Sequence, residues 1–114
     1  MQYLLLIYEE EKRFADQAKP DFEKELAEYR AFGKDYAKAI HGGNALQPTS
    51  SATTLRMRNG KRLTTDGPFA ETKEQLGGYY LVDADDLDKA LEMASKIPGA
   101  RFGAIEVRPI MKFS

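Results

Sequence analysis

The sequence predicts an α+β domain of ferredoxin-like type, a split β-α-β antiparallel sheet with two helices on one face and an inserted β-hairpin. The prediction rests on apolar strands at 2–8, 77–82 and 103–109, amphipathic helical stripes within 20–40 and 85–97, and an Asn59-Gly60 turn between strand-like flanks. The strands at 2–8 and 77–82 are apolar on both faces, yet helices on one side leave the other side of the sheet bare. A second copy set sheet against sheet about a two-fold axis is the economical cover, so a homodimer is expected.

At 114 residues and 12.8 kDa the chain fits one domain with a single core. Seventeen Lys and Arg against eighteen Asp and Glu leave a formal charge of -1, which argues against nucleic acid as a partner. The basic run Arg56 to Arg62 reads as a solvated hairpin tip rather than an anion site. The absence of cysteine excludes disulfides, thiolate catalysis and Cys-based zinc sites, and one histidine is too few for a His-rich metal site. No cofactor motif is visible. The amino terminus lacks a basic leader and runs into Glu9-Glu10-Glu11, so it reads as a strand and not a signal peptide. No stretch approaches the roughly 20 apolar residues of a membrane span, and a cytoplasmic location is expected.

Gln2 to Tyr8 forms the first strand, followed by a polar loop. Pro20 suits a first helical position, and Phe22, Leu26, Tyr29, Gly33, Tyr36 and Ile40 draw one apolar stripe along a long helix. Gly33 within that stripe implies close approach to the sheet, and Gly42-Gly43 reads as the helix cap. Ala45 and Leu46 suit a brief strand. Asn59-Gly60 favours a two-residue type I′ turn, which sets Arg58 opposite Lys61, Met57 opposite Arg62, Arg56 opposite Leu63 and Leu55 opposite Thr64. The weakly amphipathic ribbon should project as an arm. Gly77 to Val82 places Tyr79 and Leu81 on one face and Tyr80 and Val82 on the other. Asp85 caps a second helix with Leu87, Ala90, Leu91, Ala94 and Ile97 inward, and Pro98-Gly99 stops it. The last strand turns Ile105 and Val107 to a dry face and Glu106 and Arg108 to a wetter one.

Asp66-Gly67-Pro68-Phe69-Ala70-Glu71-Thr72-Lys73-Glu74-Gln75-Leu76-Gly77-Gly78-Tyr79-Tyr80-Leu81 resembles the signature of the YCII-related family in its DGPF-domain branch. Tyr3 to Tyr8, Pro48-Thr49, Asp85 to Asp88 and Glu106 to Pro109 agree with it, so the resemblance covers essentially the whole chain. It implies a dimeric α+β barrel, two ferredoxin-like protomers with sheets face to face and a pocket in each. Most members have no assigned activity, and many of this branch are encoded beside extracytoplasmic-function sigma factors. A few relatives are cofactor-free enzymes acting on small oxygenated rings. The His-Asp pair proposed for the better-studied branch carries its histidine on the first helix, near Tyr29 or Arg30 here, so that pair is not preserved.

Candidate chemistry centres on the same stretch. Asp66, beside Phe69, reads either as a general base or as the acceptor of backbone N–H groups in an Asx-type turn. Glu71, Thr72, Lys73 and Glu74 combine carboxylates, a hydroxyl and an ammonium, as a pocket mouth or as a solvated loop. Gly77-Gly78 is followed by a strand, so a bulge or close packing explains it better than a phosphate-binding loop. Tyr79 and Tyr80, with Tyr29, Phe32 and Tyr36, are candidates to line an aromatic cavity, or they are core. His41 is either a helix-end cap or a runner-up acid/base. Two functions follow. One is a small-molecule-binding or accessory module, linked through the resemblance to a sigma-factor circuit. The other is a cofactor-independent isomerase or lyase on a small oxygenated ring, with Asp66 or Glu71 as base and Lys73 or a tyrosine stabilising negative charge.

Overall fold

A computed structural model describes residues 1–113. In chain order the elements are β1 (Gln2–Glu9), α1 (Glu11–Asp16), α2 (Lys19–Asp35), β2 (Ile40–Ala45), β3 (Thr53–Arg58), β4 (Lys61–Asp66), β5 (Gln75–Asp83), α3 (Leu87–Ser95) and β6 (Ala104–Pro109), with single 3-10 turns at Thr49–Ser51 and Pro98–Arg101. The main sheet is four-stranded in the order β2-β5-β1-β6, and every neighbouring pair is antiparallel. With the β3–β4 hairpin set aside, this is the expected ferredoxin-like sheet.

Alternation along β1 sorts the sheet into two faces. Tyr3, Leu5 and Ile7 are buried and meet Val82 from β5, Phe32 from α2, Ala90, Met93 and Ala94 from α3, and Ile97 beyond it. Full burial of a side chain such as Leu5 or Val82 contributes about 1.5–3 kcal/mol. The register pairs Leu4 with Leu81 and Leu6 with Tyr79, so these residues share the opposite face, as do Glu106 and Arg108 from β6. Tyr80 and Val82 turn inward, as expected.

Several local expectations are corrected. The polar loop after β1 contains α1. The long helix ends at Asp35 rather than running to Ile40, because Ile40–Ala45 pairs with β5 and the Asp83 N–H donates to the Ala39 carbonyl at 2.8 Å. Gly42-Gly43 is therefore strand, not cap. At Gly43 a Cβ would lie 2.7 Å from the Tyr79 carbonyl oxygen and 2.8 Å from the Tyr80 ring, so the absence of a side chain lets β2 close on β5. Gly33 has the opposite character, with nothing within 4 Å of a Cβ there, and close approach does not explain it. The α2 stripe is rotated, with Glu25 and Phe32 buried, Tyr29 and Tyr36 half-buried, and Phe22 and Leu26 exposed. In α3, Asp86 rather than Asp85 is the cap, its side chain accepting the Lys89 N–H at 2.9 Å, and Met93 is buried where Leu87 and Leu91 are exposed.

The hairpin follows the predicted register pair for pair. Both turn residues have positive φ, 52° at Asn59 and 75° at Gly60, as a type I′ turn requires. It forms its own two-stranded sheet, and its main packing is between its own two strands. At its base Gly67 takes φ 108°, its N–H donates to the Ala52 carbonyl at 2.7 Å, and Thr54 Oγ1 donates to the Gly67 carbonyl at 2.8 Å. Backbone and Thr54 thus make this corner. Among the described residues no hydrogen bond of the Asp66 carboxylate contributes, so the Asx-type turn is not formed. The bulge expected at Gly77-Gly78 is present, since Ile7 pairs with Gly78 and Tyr8 with Leu76, leaving Gly77 as the extra residue.

Candidate functional site

The sheet face away from the helices has an apolar centre, Leu4, Leu6 and Leu81, and hydrogen-bonded polar groups at its margins. At one end Tyr8 OH donates to Glu106 Oε1 at 3.2 Å, and Arg108 donates to Glu106 Oε2 through Nη2 at 2.5 Å and Nε at 3.2 Å. The β1–β6 pairing sets this chain of groups, because Glu106 lies opposite Leu6 and Arg108 opposite Leu4. Burial, then the bond to Glu106, pushes the Tyr8 phenol up, while the Arg108 guanidinium holds the Glu106 carboxyl below its usual range. Tyr8 is thus a neutral donor beside an ionised acceptor. On β2, Asn44 Nδ2 donates to Tyr79 OH at 2.9 Å.

At the other end His41 Nε2 contacts Asp83 Oδ2. His41 is the bulged residue of β2, between Ile40, opposite Val82, and Gly42, opposite Leu81. A carboxylate on one ring nitrogen leaves the other free to take or give a proton. The helix-end placement expected for His41 is thereby corrected to a strand.

A second polar centre lies on the helix side, where α1 folds Arg13 back over the end of β1. Arg13 Nη2 donates to Glu9 Oε2 at 2.6 Å, and Arg13 donates to both oxygens of Glu25 at 3.0 and 3.2 Å. The guanidinium lies 4.0 Å from the Phe102 ring centroid and 4.4 Å from that of Phe14. Glu9 and Glu25 are 4% and 5% exposed, so two carboxylates are held in the interior by one cation. Glu9 Oε1, Arg13 Nε and Gln17 Oε1 are buried without hydrogen-bond partners among the described residues. Burial raises the Glu9 carboxyl despite Arg13, and burial with Glu9 and Glu25 nearby raises the Tyr29 phenol. The folded state therefore holds the Glu9 proton more tightly than the unfolded chain does. Its contribution to stability grows as pH falls through the folded value toward the ordinary one. Wild type is accordingly expected to gain stability relative to Glu9→Gln in urea denaturation as pH falls from neutral toward the ordinary carboxylate range. A difference that stays constant with pH would contradict the buried charge.

Sequence reasoning missed this centre, because Glu9 and Arg13 both fall in the polar stretch expected as a loop after the first strand. The i, i+4 spacing of Glu9 and Arg13 was the available signal.

The predicted site residues do not converge within one chain. Asp66 ends β4 and is exposed, Phe69 is exposed with the Arg56 guanidinium 4.9 Å from its ring centroid, and Glu71 to Glu74 form an exposed, non-helical stretch. There Thr72 Oγ1 donates to the Glu74 carbonyl at 2.5 Å and Lys73 Nζ lies 3.3 Å from Glu10 Oε1. Tyr79 and Tyr80 occupy opposite faces of the sheet, so the aromatic residues cannot line one cavity. Tyr80 stacks on Phe32 at 5.0 Å and Phe32 on Tyr36 at 5.1 Å, within the core.

A one-sided antiparallel sheet with a polar-fringed apolar face defines an α+β domain with one open sheet face. The chain belongs to the YCII-related family, whose domain model matches residues 1–114. An uncharacterised protein of Rhizobium meliloti (strain 1021) is 40% identical, the match covering 96% of this chain and 92% of that protein. A solved structure of 5-chloro-2-hydroxyhydroquinone dehydrochlorinase from Burkholderia phenoliruptrix AC1100, in complex with 2,5-dihydroxybenzoquinone, is similar with a TM-score of 0.58. That likeness covers 97% of this chain and 94% of the other at 15% identity, and it shows the fold alone.

Proposed function

We propose that the chain binds a small oxygenated ring compound on the open sheet face, covered by a second copy to form a homodimer. The observation that carries this reading is the polar fringe on that face. A flat ring seated on Leu4, Leu6 and Leu81 would find a donor in Tyr8, an anionic acceptor in Glu106 and a cation in Arg108. This is the binding module, in the accessory role toward a sigma factor that the family resemblance implies. The His41–Asp83 contact favours a second reading, a cofactor-independent isomerase or lyase on the same ligand class with His41 as base. The structural neighbour, a dehydrochlorinase in complex with 2,5-dihydroxybenzoquinone, supports the choice of ligand class for both readings. Asp66, Glu71 and Lys73, all exposed, take part only at the rim of such a site.

A thermal-shift screen against hydroxylated quinones and hydroquinones tests the proposal. Saturation at about 100 times Kd is expected to stabilise the fold by about 2.7 kcal/mol, with Tyr8→Phe and Glu106→Gln weakening the hit and Asp66→Asn leaving it unchanged. Turnover of the hit that His41→Asn abolishes without loss of binding selects the enzyme. No stabilisation by any member of the panel would overturn both readings.

A further inference from the structure

The β3–β4 arm is a two-stranded ribbon outside the main sheet, packed chiefly on itself. Isolated two-stranded hairpins are marginal in water unless a further element covers them. Here Leu55 and Met57 share one face of the ribbon and are each 53% exposed, while Leu63, 50% exposed, pairs with Arg56 on the other face. Between them stand Arg56, Arg58, Lys61 and Arg62, none paired with a carboxylate among the described residues. The arm extends about 20 Å at the usual rise per strand residue, in a flat molecule measuring 47 × 47 × 19 Å.

The complementary surface lies at the corner where β5 runs into α3. Leu87 and Leu91, one helical turn apart, are about half exposed, and Asp83, Asp85, Asp86 and Asp88 surround the start of that helix. Both patches have an apolar centre, one with a cationic rim and the other with an anionic rim, on a chain of net charge -1. We propose that the arm of one copy docks on the β5–α3 corner of a second copy, and reciprocally, so that each protomer clasps the other. A two-fold axis closes such a pair without leaving a free arm. The clasp brings cations of the partner's arm beside the His41–Asp83 end of the sheet face. It rests on the homodimer proposed above.

Charge reversal tests the clasp separately from the dimer. Arg58→Glu with Lys61→Glu reverses the arm, and Asp85→Lys with Asp88→Lys reverses the corner, sparing the cap Asp86 and the His41 partner Asp83. Each double variant is expected to self-associate at least about tenfold more weakly than wild type in sedimentation at low salt, because like charges then face each other. Mixed in equal amounts they should form heterodimers, since both clasps are complementary again, and the chain carrying all four changes should dimerise. A wild-type monomer of 12.8 kDa at micromolar concentration would refute the dimer itself. A wild-type dimer with unaffected double variants, or a mixture that stays dissociated, would overturn the clasp alone. Binding of an oligonucleotide through the arm with dimerisation unchanged would name a different occupant and overturn it too.

Discussion

Replacement of Arg13 by methionine is expected to destabilise the protein by about 3–5 kcal/mol, the usual cost of breaking a buried ion pair from one side. The variant keeps much of the aliphatic stem, but it loses the guanidinium over Phe102 and leaves Glu9 and Glu25 in the interior with no cation. Neither carboxylate can recover its lost solvation, since both are almost fully buried. Lower pH should return part of the loss, as the Glu9 carboxyl, already raised by burial, can then be neutralised by protonation. Combining Arg13→Met with Glu9→Gln and Glu25→Gln should return most of it, because a neutral interior has no desolvated charge to compensate. Urea denaturation of the single and triple variants decides the matter. A loss below about 1 kcal/mol for Arg13→Met, the range of exposed ion pairs, would mean that water reaches the carboxylates.

Gly103→Ala is expected to lose about 3 kcal/mol, at the upper end of overpacking effects. A Cβ at this position runs into the Tyr8 carbonyl oxygen, and it would also lie 3.0 Å from Glu9 Cγ. The obstacle is backbone, which cannot rotate away as a side-chain tip can. The end of β1 would have to shift, carrying Tyr8 on the open face and Glu9 on the helix side with it. Gly33→Ala is the internal control. It lies in α2 with open space around a Cβ and is expected to stabilise by up to about 1 kcal/mol through helix propensity. Equal effects from the two substitutions would show that propensity, not packing, governs both sites.

The parts of the fold legible in the sequence were those whose causes are local. Asn59-Gly60 set the hairpin register because a type I′ turn leaves one pairing for the residues on either side. The faces of Tyr79 to Val82 followed from the period of a strand, and the extra glycine at 77 from its lack of a side chain. Boundaries were harder where composition and pairing disagreed. Ile40 to Asn44 has the glycines of a helix cap, yet its backbone groups find partners on β5, about 40 residues away in sequence, and that pairing prevails.

The candidate sites were less legible than the fold. Asp66 and Phe69 to Glu74, within the stretch that carries the family resemblance, stand exposed at the end of the arm and along the segment that follows it. Tyr8 with Glu106, His41 with Asp83 and Arg13 with Glu25 are 98, 42 and 12 residues apart, and no short motif joins them. By itself the sequence determined the order of β1, α2, the hairpin, β5, α3 and β6 and the one-sided sheet, because turn chemistry and hydrophobic periodicity act over a few residues. Tertiary structure alone decided where α2 stops, which acids are buried and which polar groups meet on the open face, because those depend on what the folded chain brings against each side chain and how much water it removes.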